Sequence, residues 1–155
     1  MPHKVTSITK LGKHEPFELQ VAQGQIPWHK QIYKFGQNSV IANSVETIWQ
    51  QGGLYSYPPS ATTMTVSSSN TNDTSAGTGA RTVLISGLDG DYNEISETIT
   101  LNGQTAVTTT NSFLRVNRGI VLTAGSGGAN AGIIYVGTGT VTTGVPANIY
   151  TTING

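Results

Sequence analysis

The chain has 155 residues, eight Lys plus Arg against eight Asp plus Glu, and no cysteine. That length suits one packed domain, or a domain with an arm, and the missing thiols exclude a disulfide framework, thiolate catalysis and Cys-based zinc sites. Charged residues make up 10% of the chain, against roughly 25% for a usual soluble domain, with Gly, Thr, Ser, Asn and Ala in their place. No apolar run approaches the ~18 residues that cross a membrane. The opening Met1-Pro-His-Lys-Val-Thr-Ser lacks the apolar core of a secretory signal, so synthesis in a cytosol is expected.

The first 34 residues hold Lys4, Lys10, Lys13, Lys30 and Lys34 against Glu15 and Glu18, a surplus of three positive charges. The remainder holds Arg81, Arg115 and Arg118 against Glu46, Asp73, Asp89, Asp91, Glu94 and Glu97, a surplus of three negative ones. Such a dipolar chain is steered onto copies of itself or onto an acidic neighbour, unless the five lysines simply form a solvated face.

Residues 1–60 also contain all three histidines, both tryptophans and most large aromatics, with little regular alternation. Phe17-Glu-Leu-Gln-Val-Ala reads as a strand with Phe17, Leu19 and Val21 on one face, and Val45-Glu-Thr-Ile-Trp as a second short one. Aromatics in an irregular, Pro-punctuated stretch need something to lie against. We therefore expect an extended N-terminal arm in which Phe17, Trp28, His29, Tyr33, Phe35 and Trp49 contact a partner. The mixture of lysines and aromatics resembles a base-stacking platform, but zero net charge and the lack of arginine in the arm weigh against nucleic acid as that partner.

Tyr55-Ser-Tyr-Pro-Pro closes this region, because two prolines force extended backbone and donate nothing to a ladder. Met64-Thr-Val follows, and then a polar stretch from Ser67 to Gly79 that reads as a long loop or a loosely paired edge. From residue 80 the strand signals become regular. Arg81–Leu88 and Glu94–Leu101 flank the Asp89-Gly-Asp-Tyr-Asn turn, and Asn102-Gly103 supplies a hairpin turn. Residues 105–110, 113–124, 132–138 and 147–153 supply further strands. The Gly-rich stretches at Gly77, Gly125 and Gly137 read as turns rather than phosphate loops, since none opens a helix or carries a Lys-Ser/Thr ending. The expected fold is all-β: an antiparallel β-sandwich or jelly-roll-like domain over 61–155, preceded by the arm over 1–60.

Strict alternation puts Glu97 on one face with Ile95, Ile99 and Leu101, and Arg118 on one face with Leu114, Val116, Ile120 and Leu122. Two outcomes follow. If both faces point inward, Glu97 and Arg118 pair, because an unpaired buried charge is expensive; otherwise a bulge turns one or both outward.

The sequence offers no reagent chemistry. Asp89-Gly-Asp opens like a calcium loop, but Glu94 and Thr100 occupy the sixth and twelfth positions, where an EF-hand has Gly and Glu, so turn chemistry is the primary reading and weak calcium binding the alternative. Glu94 and Glu97, three apart on a strand, fall on opposite faces. His3, His14 and His29 lack metal-helix spacing, and no nucleophile elbow is present. The expectation is a non-enzyme without metal or cofactor.

The run from Ala76 to Glu97, with Thr98-Ile-Thr-Leu-Asn-Gly, Ser112-Phe-Leu-Arg-Val-Asn-Arg and the earlier Phe17-Glu-Leu-Gln-Val-Ala-Gln-Gly-Gln-Ile-Pro, resembles virion structural proteins of tailed bacteriophages, especially those of aquatic bacteria. The resemblance implies a late gene product assembled in the host cytoplasm, present in many copies and packed against other virion proteins. Within that class, small size and an aromatic arm point to a capsid decoration or cement protein on the outer shell, bridging major capsid subunits and copies of itself. A tail or head-to-tail component is the alternative. A surface receptor- or glycan-binding module using Tyr92, Asn93, Asn70 and Asn72 is another.

Overall fold

The computed structural model describes residues 16–29, 37–38 and 43–154. The chain divides into two units, Met1–Phe35 and Gly36–Gly155, so the division by contacts falls before the joint expected near residue 60.

In the first unit, Phe17–Ala22 forms a short helix, α1, and not the expected strand. Its alternation of Phe17, Leu19 and Val21 had no ladder to satisfy. Pro16 supplies the helix start instead, its carbonyl accepting from the backbone of Leu19 and Gln20 at 3.0 and 3.1 Å, and a proline at a helix entry loses no hydrogen bond.

Among its described residues the second unit is all-β, with seven strands: β1 Thr62–Ser68, β2 Ala80–Leu88, β3 Glu94–Thr100, β4 Val107–Phe113, β5 Arg115–Ala124, β6 Ile134–Thr142 and β7 Val145–Ile153. They form two antiparallel sheets, one in the order β4-β1-β6-β7 and the other β3-β2-β5. Val83 and Ile85 of β2, Ile99 of β3, Met64 and Val66 of β1, Phe113 of β4, and Ile134 and Val136 of β6 join one apolar cluster drawn from both sheets. Each such side chain, fully withdrawn from water, contributes about 1.5–3 kcal/mol before entropy is subtracted.

The chain changes sheet four times, and two of the crossings fall where the sequence predicts something else. Asn102-Gly103 does turn tightly, with Gly103 at φ 60° and the Thr105 amide donating to the Asn102 carbonyl at 3.1 Å. It does not close a hairpin, however, because β3 and β4 belong to different sheets. Gly103 is held on both sides: its N–H donates to the Asp73 carbonyl at 2.7 Å and its carbonyl accepts from Ser68 at 2.9 Å. The other such crossing comes at Leu114, between β4 and β5, where the amide donates to the Leu88 carbonyl at 2.8 Å. The Gly137 stretch is no turn; it runs within β6. The turn that follows, Thr143-Gly144, has both φ angles positive, at 50° and 80°, as a two-residue hairpin requires.

Register decides the fate of Glu97 and Arg118. Glu97 lies opposite Ile85, on the row that faces the apolar cluster, whereas Arg118 lies opposite Ser86, on the other face of the same sheet. The reason is a bulge at Asn117: Gly87 pairs with Val116 and Ser86 with Arg118, so alternation along β5 slips by one and Arg118 is exposed. The Glu97–Arg118 pair is thereby overturned in favour of the bulge.

The polar stretch after β1 is neither a loose loop nor an edge. It wraps around Asp73, which is fully buried. One carboxylate oxygen accepts from the amides of Ala80 and Ala131 at 2.7 and 2.8 Å, and the other from the Ser68 hydroxyl at 2.6 Å and the Gly132 amide at 3.0 Å. A buried carboxylate is tolerable when its lone pairs are filled in this way.

Candidate functional site

Residues 43–57 fold back on themselves because Gly52 and Gly53 both take positive φ, bringing the Thr47 amide to the Gly53 carbonyl at 2.8 Å. The Thr47 hydroxyl then accepts from the Tyr55 amide at 3.0 Å. Val45–Trp49 is therefore the near arm of a closed loop and not the expected second strand. Trp49 Nε1 donates to the Gly52 carbonyl at 2.7 Å, fixing the indole over the loop.

An aromatic seam grows from this loop. Tyr55 stands edge-on to Trp49 at 4.9 Å and to Tyr57 at 4.7 Å, with Tyr150 of β7 at 6.4 Å. Its hydroxyl donates to the Tyr150 carbonyl at 3.0 Å, and burial, helped by the neighbouring Tyr57 and Tyr150, pushes its pKa up to about 12. The Arg115 guanidinium lies 4.7 Å over the Tyr57 ring and donates to the carbonyls of Leu114 and Pro58. Thr152 adds a hydroxyl bond to the Gln50 side chain.

This arrangement assigns the aromatics new roles. Trp49, expected to seek a partner, is half-buried and engaged with Tyr55. The apolar groups exposed on its loop are instead Val45, Ile48 and Leu54, at 90%, 71% and 73%, with Tyr57 beside them. None of the three aliphatics had an alternation to mark it; only their place in a Gly-closed loop, unable to reach a ladder, would have revealed them.

In the first unit, α1 buries no residue. Phe17 meets His29 edge-on at 5.5 Å, and His29 Nδ1 lies 3.1 Å from the Pro27 carbonyl. Trp28 is 95% exposed and holds φ at 68°, which few non-glycine residues adopt. Tyr33 and Phe35 lie outside the described residues, as do His3, His14 and the five lysines of the arm.

The remaining candidates are spent on structure. Asp89 accepts from the amides of Asp91 and Asn93 and from the Asn93 side chain, and these bonds, led by the Asn93 amide, hold its carboxyl below the ordinary aspartate value. It is the scaffold of its turn. Asn70 is likewise committed, to the Asn72 amide and the Ala131 carbonyl. Tyr92 stays open, two-thirds exposed at the turn, close in sequence to a polar groove lined by Ser86, Glu94, Ile95, Ser96, Asn117 and Arg118. Among the described residues no three His, Asp or Glu gather as a metal site, and no helix is long and apolar enough to cross a membrane. In comparison with known proteins, no family model, curated protein or solved structure matches this chain.

Proposed function

We propose that this chain is a non-enzymatic structural protein of a phage particle, a decoration or cement protein that stabilises the shell by bridging neighbouring capsid subunits. In this reading residues 1–60 are the gripping arm and residues 61–155 are a β-sandwich that stands as the rigid body. One observation carries it beside the family resemblance. Of the eleven large hydrophobic residues exposed among the described ones, seven precede residue 60: Phe17, Leu19, Trp28, Val45, Ile48, Leu54 and Tyr57. A charge-poor body that concentrates its exposed apolar groups in one part of the chain suits a protein whose binding energy resides there. The sandwich reading draws on the single apolar cluster to which both sheets contribute.

The test is shell stability. Capsids lacking the chain should release packaged DNA at a higher temperature once it is added back; an unchanged release temperature at saturating protein contradicts the cement role. Tyr92, exposed and two residues in sequence from the groove-lining Glu94, favours a second reading, a glycan-binding surface, which predicts sugar binding that survives removal of residues 1–40.

A further inference from the structure

The face of the β3-β2-β5 sheet turned away from the apolar cluster carries a groove of about 470 Å³ whose polar groups the fold leaves unspent. Register builds its floor: Ser86 of β2 stands between Ser96 of β3 and Arg118 of β5, so the three side chains form one row across the sheet. Asn117 joins them as the extra residue of the β5 bulge, and a bulge re-aims the side chains around it. β2 is shaped for that bulge. At Gly87, opposite Val116, a Cβ would stand 2.0 Å from the Arg115 carbonyl oxygen, so the missing side chain is what lets β5 approach where it bends. Glu94 lies at the other side of the groove, two residues before Ser96 on β3 and on the same face.

Bonding sets the groove apart from the rest of the fold. Every buried side-chain nitrogen and oxygen among the described residues has a partner, and Thr82 and Thr123, on the same face of the sheet, bond to each other. By contrast, Ser86, Ser96, Asn117 and Arg118 make no side-chain hydrogen bond or ion pair among the described residues. We propose that this groove binds an acidic sugar, a uronate, with the Arg118 guanidinium holding its carboxylate and Ser86, Ser96 and Asn117 its hydroxyls. The inference rests on the glycan-binding reading and names the class of sugar. A guanidinium fork matches a carboxylate with two parallel bonds, while serine hydroxyls and an amide both donate and accept, as sugar hydroxyls require. A peptide fits less well, because the groove lies on a sheet face whose backbone groups are spent in the ladders, with no strand edge to extend. Nor does a phosphate chain suit it: one cation faces one carboxylate, Glu94, so the groove has no net positive field to draw a polyanion.

The experiment titrates the full chain with glucuronate, galacturonate, the methyl ester of each, and acetate, at constant ionic strength, and follows backbone amides by NMR. An ester keeps the hydroxyls and loses the charge; acetate keeps the charge and lacks the hydroxyls. At least one uronate should shift the Ser86, Ser96 and Asn117 amides saturably and bind about tenfold tighter than its ester and than acetate, the lower end of what a hydrogen bond to a charged group adds. Arg118→Gln alters an exposed side chain with no partner to strand, so the remaining spectrum should stay in place while the difference between acid and ester disappears. Equal binding of acid and ester at the groove overturns the proposal and leaves the glycan-binding reading standing. Acetate matching the uronates, shifts confined to other residues, or a preference for the acid that persists in Arg118→Gln also overturns it. No shift with any sugar overturns both.

Discussion

The Tyr55 hydroxyl donates to the Tyr150 carbonyl at 3.0 Å, joining the loop of residues 43–57 to the last strand of the β-fold. The bond couples that loop to pH. Tyr55 ionises near pH 12 in the folded chain against an ordinary value of 10.0, so the neutral phenol is the form that the fold favours. Its contribution is fully present below about pH 10 and is lost as the pH rises towards 12, because the released loop binds fewer protons than the docked one. Trp49 packs on Tyr55 and reports the event. Its fluorescence should change between pH 10 and 12, and Tyr55→Phe, which has no proton to lose, should abolish that change and destabilise the docked loop at neutral pH by about 1 kcal/mol. A fluorescence change between pH 10 and 12 that persists in Tyr55→Phe contradicts this role.

Asp73 should be the most sensitive polar position in the β-fold. Asp73→Ala strands three backbone amides and a serine hydroxyl away from water. The expected cost is about 3–5 kcal/mol in urea unfolding, from several unsatisfied groups at about 1–3 kcal/mol each. Asp73→Asn keeps the shape but offers a donor where an acceptor is needed, for a smaller loss. Equal stability of the two variants would show that packing, not hydrogen bonding, matters there.

Gly79 lies beside that carboxylate. A Cβ there would sit 2.1 Å from Asp73 Oδ1 and 2.9 Å from the Ala131 amide nitrogen, a contact that only backbone movement relieves. Gly79→Ala should lower stability by about 1–3 kcal/mol, the usual penalty for overpacking, and should weaken protection of the Ala131 and Gly132 amides in hydrogen exchange. Wild-type protection at those amides would argue that the loop accommodates the methyl.

Trp28 separates binding from folding. At 95% exposure its indole has little packing to lose, so Trp28→Ala should leave thermal unfolding within about 0.5 kcal/mol of wild type, as surface substitutions do. If Trp28 is a shell anchor, the same change weakens capsid association at least tenfold, the loss typical of a buried aromatic anchor costing more than about 1.4 kcal/mol. Unchanged association would remove Trp28 from the grip.

Much of the β-fold was legible because its signals are local. Ile95 and Ile99 are flanked by polar residues along β3, Val83 and Ile85 stand two apart in an apolar run of β2, and Asp89-Gly-Asp-Tyr-Asn turns where turn chemistry says it must. What could not be read depends on partners distant in sequence. The bulge at Asn117 that exposes Arg118 is visible only against β2, and the closure of the Ser69–Gly79 loop only once Ala131 and Gly132 arrive at Asp73. For the candidate site, alternation at Phe17, Leu19 and Val21 mimicked a strand over six residues, too few to distinguish a period of two from a helical turn. Trp49 illustrates the other difficulty: an aromatic in irregular sequence asks for a surface to lie against, and only the fold reveals that Tyr55 of its own chain provides it.

Co-sedimentation with capsids lacking the chain addresses the central claim most directly, comparing the full-length protein with a form missing residues 1–40. Saturable co-sedimentation of the full-length chain, lost on deletion while the β-fold stays intact by circular dichroism, is the predicted result. Failure of the full-length chain to sediment with the shells, or equal binding by the truncated form, would contradict an arm-anchored shell protein.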